Sequence, residues 1–274
     1  FEGIVLTDTF QSTETEDTLD DDFFGGNDER LKRQQEVPIT VIMGNPPYSA
    51  KQNDANDDNA NIKYPKLDEK IRREYVEHSN ANLQNNLYDS YIRAFRWASD
   101  RLTGKGVIGF VSNGQFIDSL AADGLRYSLY NEFNHLYIFN LRGDQRTVGE
   151  QSRKEGGKIF GSGSRTPIAI SILVKDGSDN HEVHYHDIGD YLNREQKLSI
   201  LRESGTIENI EWERIHLILT VRLHIDGQKT YDIDKMEFYA VNNFGGCGVK
   251  FDVRRKEDII KLHVNVTNNG DLRC

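Results

Sequence analysis

Apolar residues in the first two hundred positions fall alternately in short continuous runs and in helically spaced stripes. "GIVLTD" and "ITVIMG" are β-branched runs closed by polar residues or glycine, the form of buried parallel strands. "NLYDSYIRAFRWASDRL" places Leu87, Tyr91, Ala94, Phe95, Ala98 and Leu102 at helical spacing, with Gly104 as the stop. "GVIGFVSN" then predicts a strand, "DGLRYSLYNEF" a helix, and "HLYIFNLRG" and "PIAISILVKD" two further strands. "HEVHYHDIGDYLNREQKL" adds one more strand and a helix. This alternation predicts an α/β domain with a mainly parallel sheet over residues 1–206. Two stretches interrupt it. Residues 49–86 are polar and rich in Asn and Asp, a long loop with one short helix near residues 67–77, and so a candidate lid. Residues 143–165 are rich in Gly, Arg and Lys and read as a loop. Over residues 207–274 the pattern loosens, and "RIHLILTVRLHIDG" suggests a strand pair in a small β-rich or mixed module.

Composition narrows the class without changing this picture. The 274 residues are 36% hydrophobic and 28% charged, with 5 prolines, as in ordinary globular chains. No apolar run approaches membrane-spanning length and none has the form of a signal peptide, so no membrane partner is expected. Two cysteines, Cys247 and Cys274, make neither a disulfide framework nor a metal motif, and a cytoplasmic setting is expected. The net charge of −10 leaves nucleic-acid binding to a local basic face. Much of the acidity lies in "TETEDTLDDDFFGGNDE", which reads as a solvated surface loop. The chain begins with Phe1, inside a strand-like run, and is expected to be a fragment of something longer.

The chemistry is concentrated in "VIMGNPPYSAKQND". Pro46 and Pro47 lack two backbone donors and fix two φ angles, so the strand ends there. In an open α/β sheet, ligands bind where strands end. The Asn45 amide oxygen and the Pro46 carbonyl can both accept hydrogen bonds from one exocyclic amino group. Pro46 and Pro47 hold these acceptors still, and Tyr48 offers a face on which a planar ring can stack. Two acceptors on its protons push a planar nitrogen towards a tetrahedral, nucleophilic state that can attack an electrophilic methyl group. No metal is required.

"NPPY" after an apolar strand resembles the catalytic motif of S-adenosylmethionine-dependent amino methyltransferases, above all the N6-adenine DNA methyltransferases. "FEGIVLTDTF", "LYDSYIRAFRWA", "GVIGFVSNGQF" and "FGSGSRTPIAISILVKD" resemble successive segments of that module in single-polypeptide restriction–modification enzymes, over residues 1–212. The order is that of the γ class. The resemblance implies the C-terminal half of a Rossmann-like methyltransferase sheet, followed by the start of a target-recognition module. It implies S-adenosyl-L-methionine as cofactor and double-stranded DNA as partner. It also implies a parent polypeptide carrying helicase and nuclease domains.

Residue by residue, the resemblance puts Asn45 and the Pro46 carbonyl on the adenine amino group and Tyr48 on the extruded base, with Pro47 completing the motif. Extrusion is required because N6 of a paired adenine cannot be reached in a duplex. Many relatives close the clamp with a Phe after the last strand, a position that falls on Leu173 or Val174. Phe160, in the preceding loop, is the alternative stacking residue, or else part of the core. "LTDTF" nominates Asp8 for the cofactor's adenine amino group, with Phe10 as a ring contact, against a plain turn-capping role for Asp8. The glycine-rich cofactor loop is expected before Phe1, so the fragment alone is expected to be inactive. "IFGSGSRTPIA", with Gly161 and Gly163, superficially resembles the cofactor loop of a permuted class, but it leads into a strand and not a helix.

Arg142, Arg146, Arg153, Lys154, Lys158 and Arg165 cluster around the loop before the last strand, and of these Arg146, Lys154, Lys158 and Arg165 are candidate DNA contacts, the alternative being a solvated loop. His184 and His186 share a strand face near His181, but "HEVH" lacks the zincin spacing and reads as a surface strand. Protein glutamine methylation, which also needs a planar amide held, and an inactive DNA-contacting fragment are the rival functions.

Overall fold

Ile39–Gly44 (β1) stands at the border of the sheet, and its apolar residues divide between two faces. Ile42 packs into the core, whereas Val41 is 66% and Met43 86% exposed. Among the described residues, the run read as a buried strand is thus covered on one face only. A short apolar run carries no signal for how many faces are covered.

The structure is a computed structural model that describes residues 5, 7–10, 14, 26–47, 64–79, 85–161 and 165–215, together with short strand segments beyond them. Most of "GIVLTD" lies outside the described residues. After β1 come Leu102–Asn113 (β2), His135–Arg142 (β3), Ile168–Lys175 (β4), Glu182–Asp187 (β5) and Glu213–Ile215 (β6). They form a six-stranded sheet in the order β1-β2-β4-β3-β5-β6. β1 runs parallel to β2, and β3 to β5, but β4 is antiparallel to both its neighbours. The sheet is therefore mixed and not mainly parallel. The excursion between β3 and β4 returns to the end of the sheet it left, and a strand that starts there must run backwards.

Helices cover both faces. Asn27–Glu36 (α1) precedes β1, and Pro65–Ile71 (α2) continues as a π turn over Arg72–Val76, within the stretch where a short helix was expected. Ser90–Arg101 (α3) starts on Asp89, whose side chain accepts from the Tyr91 N–H at 3.3 Å. Tyr91, Ala94, Phe95 and Ala98 are buried, as their spacing predicts. The helix ends at Arg101 and not at Gly104. Leu102 is already extended, buried and paired with Ile39, and Gly104 lies inside β2 with φ 76°. Tertiary pairing of Leu102 overrides the local stop signal.

Asp123–Glu132 (α4) packs beside α3, where Leu125, Leu129 and Phe133 join Phe95, Ile108, Leu136 and Leu173 in the larger core cluster. The 143–165 stretch holds a short helix, Gly149–Glu155 (α5), where a loop was expected. Arg194–Ser204 (α6) opens with a capping box between Asn193 and Gln196. With Trp212 it packs against the second cluster, around Phe139, Leu141, Ile159 and Ile168.

The acidic stretch is not wholly solvated. Glu14 is 5% exposed, and its carboxylate accepts from the N–H groups of Lys66 at 2.6 Å and Leu67 at 2.8 Å. It caps α2 from fifty residues away, where orphan donors favour an anion. Asn27, at the end of the stretch, is buried at the start of α1.

By internal contacts the chain divides into residues 1–214 and 215–274. In the second unit Leu223–Ile225 pairs antiparallel with Lys229–Tyr231, so the strand predicted in "VRLHIDG" finds its partner further on. Residues 216–222 lie outside the described residues. Phe238–Tyr239, Gly248–Phe251, Val264–Val266 and Leu272–Arg273 form an antiparallel sheet. No helix among the described residues is long and apolar enough to cross a membrane.

Candidate active site at the strand ends

The strand directions collect the candidate residues at one end of the sheet. Gly44 lies opposite Phe110, Asn113 opposite Ile168, and Ile168 opposite Arg142. The Asn-Pro-Pro turn, the end of β2 and the 143–167 excursion therefore share the carboxyl ends of the parallel strands. Pro46 is buried while Asn45 and Pro47 are exposed, so the turn is anchored by its middle residue with the Asn45 side chain at the surface. Tyr48 lies outside the described residues.

The end of β2 is firmly held. Asn113 is buried, its Oδ1 accepting from the Gln115 N–H at 3.0 Å and its Nδ2 donating to Gln115 Oε1 at 3.2 Å. The Gly114 N–H donates to the Pro167 carbonyl at 2.8 Å, tying this end to the start of β4. Beyond it opens a cleft of about 190 Å³ lined by Asn86, Asp89, Tyr91, Gln115, Ser119 and Arg146 among others. A hollow of about 250 Å³ lies on the α6 face of the sheet, walled by Tyr137, Phe139, Ile170, Ile172 and Trp212. Its walls are mainly apolar side chains from mid-strand, so the smaller cleft is the one that belongs with the strand ends.

Asp8 is held through both of its carboxylate oxygens. Its Oδ1 accepts from the Phe10 N–H at 2.9 Å and its Oδ2 from the Tyr64 hydroxyl at 2.8 Å. Phe10 meets Tyr64 edge to face at 5.3 Å, and Arg93 lies over the Tyr64 ring. Burial and the bond to Asp8 push the Tyr64 phenol well above its ordinary range. Asp8 thus caps its own turn.

The basic excursion is internally neutralised in large part. Arg146 donates Nε at 2.8 Å and Nη2 at 2.7 Å to Asp144, and against the cost of burial this pair holds the Asp144 carboxyl below its usual range. Arg142 pairs with Asp187 and Asp190, Arg153 with Glu150, and Lys154 Nζ stands 3.8 Å from Asp190. Arg165 donates to the Gln145 carbonyl at 2.9 Å. Lys158 and Arg165 make no ion pair with a carboxylate among the described residues. Phe160 is half-buried against the second core cluster, which supports its packing role. Leu173 is fully buried, and Val174 pairs with His135 at the far end of the sheet. Because β4 is antiparallel, its start and not its finish lies at the site, so neither residue can close the clamp.

Two residues that sequence reasoning missed organise this excursion. Glu155 accepts from the N–H groups of Gly143 and Asp144, both at 3.0 Å. Lys197, fully buried, donates to the carbonyls of Glu155 at 2.8 Å and Gly157 at 2.9 Å. The only signal in "NREQKL" was a lysine on the inner side of an amphipathic helix. Burial pushes the Lys197 ammonium down to about 8, against the pull of Glu155. The unfolded chain keeps that proton to about pH 10.5. Between about pH 8 and 10 the unfolded state binds more protons, so this site stabilises the fold increasingly as pH rises. Wild type should gain up to about 2 kcal/mol over Lys197→Met across that window, measured by urea unfolding. A pH-independent difference would refute the assignment.

The three histidines read together in sequence part company. His181 Nδ1 bonds the carbonyls of Tyr130 and Phe133 at 2.7 and 2.9 Å, and His186 Nδ1 that of Glu211 at 2.8 Å. His184 turns towards Glu182 and His135 instead.

The six-stranded mixed sheet, with helices on both faces and the Asn-Pro-Pro turn at a strand end, defines an α/β domain. The chain is 72% identical, over 79% of its length, to a segment of a nuclease-deletion mutant of the Type ISP restriction–modification enzyme LlaGI in complex with a DNA substrate mimic, with a TM-score of 0.75. It is 47% identical over 90% of its length to a segment of the ATP-dependent Type ISP enzyme LlaBIII bound to DNA, TM-score 0.73. A DrdV–DNA complex matches 79% of the chain at 38% identity, TM-score 0.71. Over most of its length the chain is thus similar to segments of Type ISP restriction–modification enzymes. It spans 18%, 17% and 21% of the length of these three relatives. No family model and no curated protein sequence matches it.

Proposed function

We propose that this chain is the adenine-N6 methyltransferase module of a restriction–modification enzyme, moving a methyl group from S-adenosyl-L-methionine to an adenine extruded from double-stranded DNA. The observation that carries the reading is the Asn45-Pro46-Pro47 turn, anchored by buried Pro46 at the carboxyl end of a parallel strand. Kinship with enzymes held on DNA supports it.

On this reading Asn45 and the Pro46 carbonyl accept from the adenine N6 amino group and Tyr48 stacks on the base. Asp8 and Phe10 receive the cofactor's adenine. Lys158 and Arg165 are the favoured phosphate contacts, followed by Arg146 and Lys154. Phe160 positions the excursion. The module works in the cytoplasm beside helicase and nuclease domains of its parent polypeptide, and the 207–274 region begins a target-recognition module.

The test is methyl transfer by the parent polypeptide. DNA is incubated with S-adenosylmethionine, digested to nucleosides, and assayed for N6-methyladenine. Methyl groups found only on cytosine, or only on protein glutamine, would overturn the reading. Tyr48→Ala should weaken binding of the extruded base by about 1–3 kcal/mol, as expected for base–aromatic stacking, while Tyr48→Phe keeps most activity. Equal damage from Phe and Ala would place the role in the hydroxyl and not the ring face.

A further inference from the structure

β3 and β5 run parallel with His135 opposite Glu182 and Tyr137 opposite His184, which puts all four side chains on one face of the sheet. His135 Nδ1 lies 3.7 Å from Glu182 Oε2, and His184 Nε2 lies 3.3 Å from the same oxygen. The three ligand atoms fall within 4.8 Å of one another. Both nitrogens are shielded from solvent, and neither makes a hydrogen bond among the described residues. Buried polar atoms without partners are costly and uncommon, so two of them aimed at one carboxylate oxygen call for an explanation.

The surroundings hold these groups in a form suited to metal ligation. His135 Nε2 faces Asp176 Oδ2 at 3.2 Å, and a ring proton donated there would leave the Nδ1 lone pair to a metal ion. His184 is stacked on Tyr137 with ring centres 4.4 Å apart and planes 10° from parallel. Arg214 pairs with Glu182 Oε1, which leaves Oε2 to the imidazoles. Buried Asn134 fixes the turn between β4 and β5, accepting from the N–H groups of Asp176 at 2.8 Å and Gly177 at 3.2 Å. The side chains of His135, Glu182 and His184 keep 25%, 24% and 17% exposure, enough for an ion to enter.

We propose that His135, Glu182 and His184 form a site for a divalent transition cation of the zinc kind. Two imidazole nitrogens and one carboxylate oxygen are a ligand set such ions accept, with water in the fourth position. Ligand bonds of about 2.0–2.1 Å would draw the three atoms to roughly 3.3 Å apart, within reach of small ring rotations. The site lies at the starts of β3 and β5, the opposite end of the sheet from Asn45. It is independent of methyl transfer, and its part is to cross-link the two strands.

The test is calorimetric titration of the metal-free 274-residue chain with zinc chloride, with cobalt chloride absorption as a second reading of geometry. One equivalent should bind and raise the melting temperature, since the ion binds only the folded chain. His135→Ala and His184→Gln should each remove that equivalent, and Asp176→Asn should weaken it by about 10- to 100-fold. His186→Ala should bind as wild type does. Melting each variant without metal first establishes that it is folded, and Asp176→Asn, which changes no ligand, serves should a ligand variant prove unfolded. Absence of binding by wild type overturns the site, as does unchanged affinity in the folded ligand variants or in Asp176→Asn.

Discussion

Asn45→Ala in the parent polypeptide is expected to cut adenine methylation by about 100- to 1000-fold, the usual cost of removing one preorganised polar group from a reacting centre. The amino nitrogen of adenine is a poor nucleophile because its lone pair is delocalised into the ring. With both acceptors in place its protons are held out of plane as the nitrogen becomes tetrahedral, and alanine removes one of them. The backbone should barely move, because Pro46 is buried and β1 is paired to β2 along its length. Affinity for S-adenosylmethionine, measured by equilibrium dialysis, should stay within about threefold of wild type, under 1 kcal/mol. Undiminished turnover would remove Asn45 from the mechanism. Equal loss of turnover and cofactor binding would move it to the cofactor pocket.

Gly156→Ala is expected to destabilise the first unit by about 4 kcal/mol, summing backbone strain and overpacking. Gly156 adopts φ 66° and ψ −151°, a region closed to residues with a side chain. A Cβ there would lie 2.1 Å from the Leu192 carbonyl oxygen, a backbone atom that cannot swing aside. The clash would separate the end of α5 from the start of α6, where Lys197 gathers the carbonyls of Glu155 and Gly157. Gly161→Ala, in the same excursion but with nothing within 4 Å of its added carbon, is the control and should unfold with wild type. Similar urea midpoints for the two variants would show that the excursion yields easily.

The tight packing at Gly156 bears on the candidate DNA contacts. Arg146 and Arg165 stand on a segment held from inside by Glu155, Lys197 and close backbone approach. A run of Gly, Arg and Lys reads as a loop because composition reports solvation and turn propensity. It carries no sign that a glutamate twelve residues on will bond the backbone of Gly143 and Asp144. Nor does it show that carboxylates of β5 and its following turn will neutralise Arg142 and Lys154. Which cations remain for phosphate is decided by those distant partners.

The alternation of strands and helices, the inner face of α3 and the turn at Asn45-Pro46-Pro47 were determined by the sequence itself. Each depends on interactions within a few residues: side-chain periodicity, a missing N–H, a fixed φ. The reversal of β4, the single covered face of β1, the burial of Glu14 and Lys197, and the meeting of His135 with Glu182 and His184 were decided only by tertiary structure. They join residues from 26 to 69 positions apart, and local patterning gives no register between strands that far from each other in the chain.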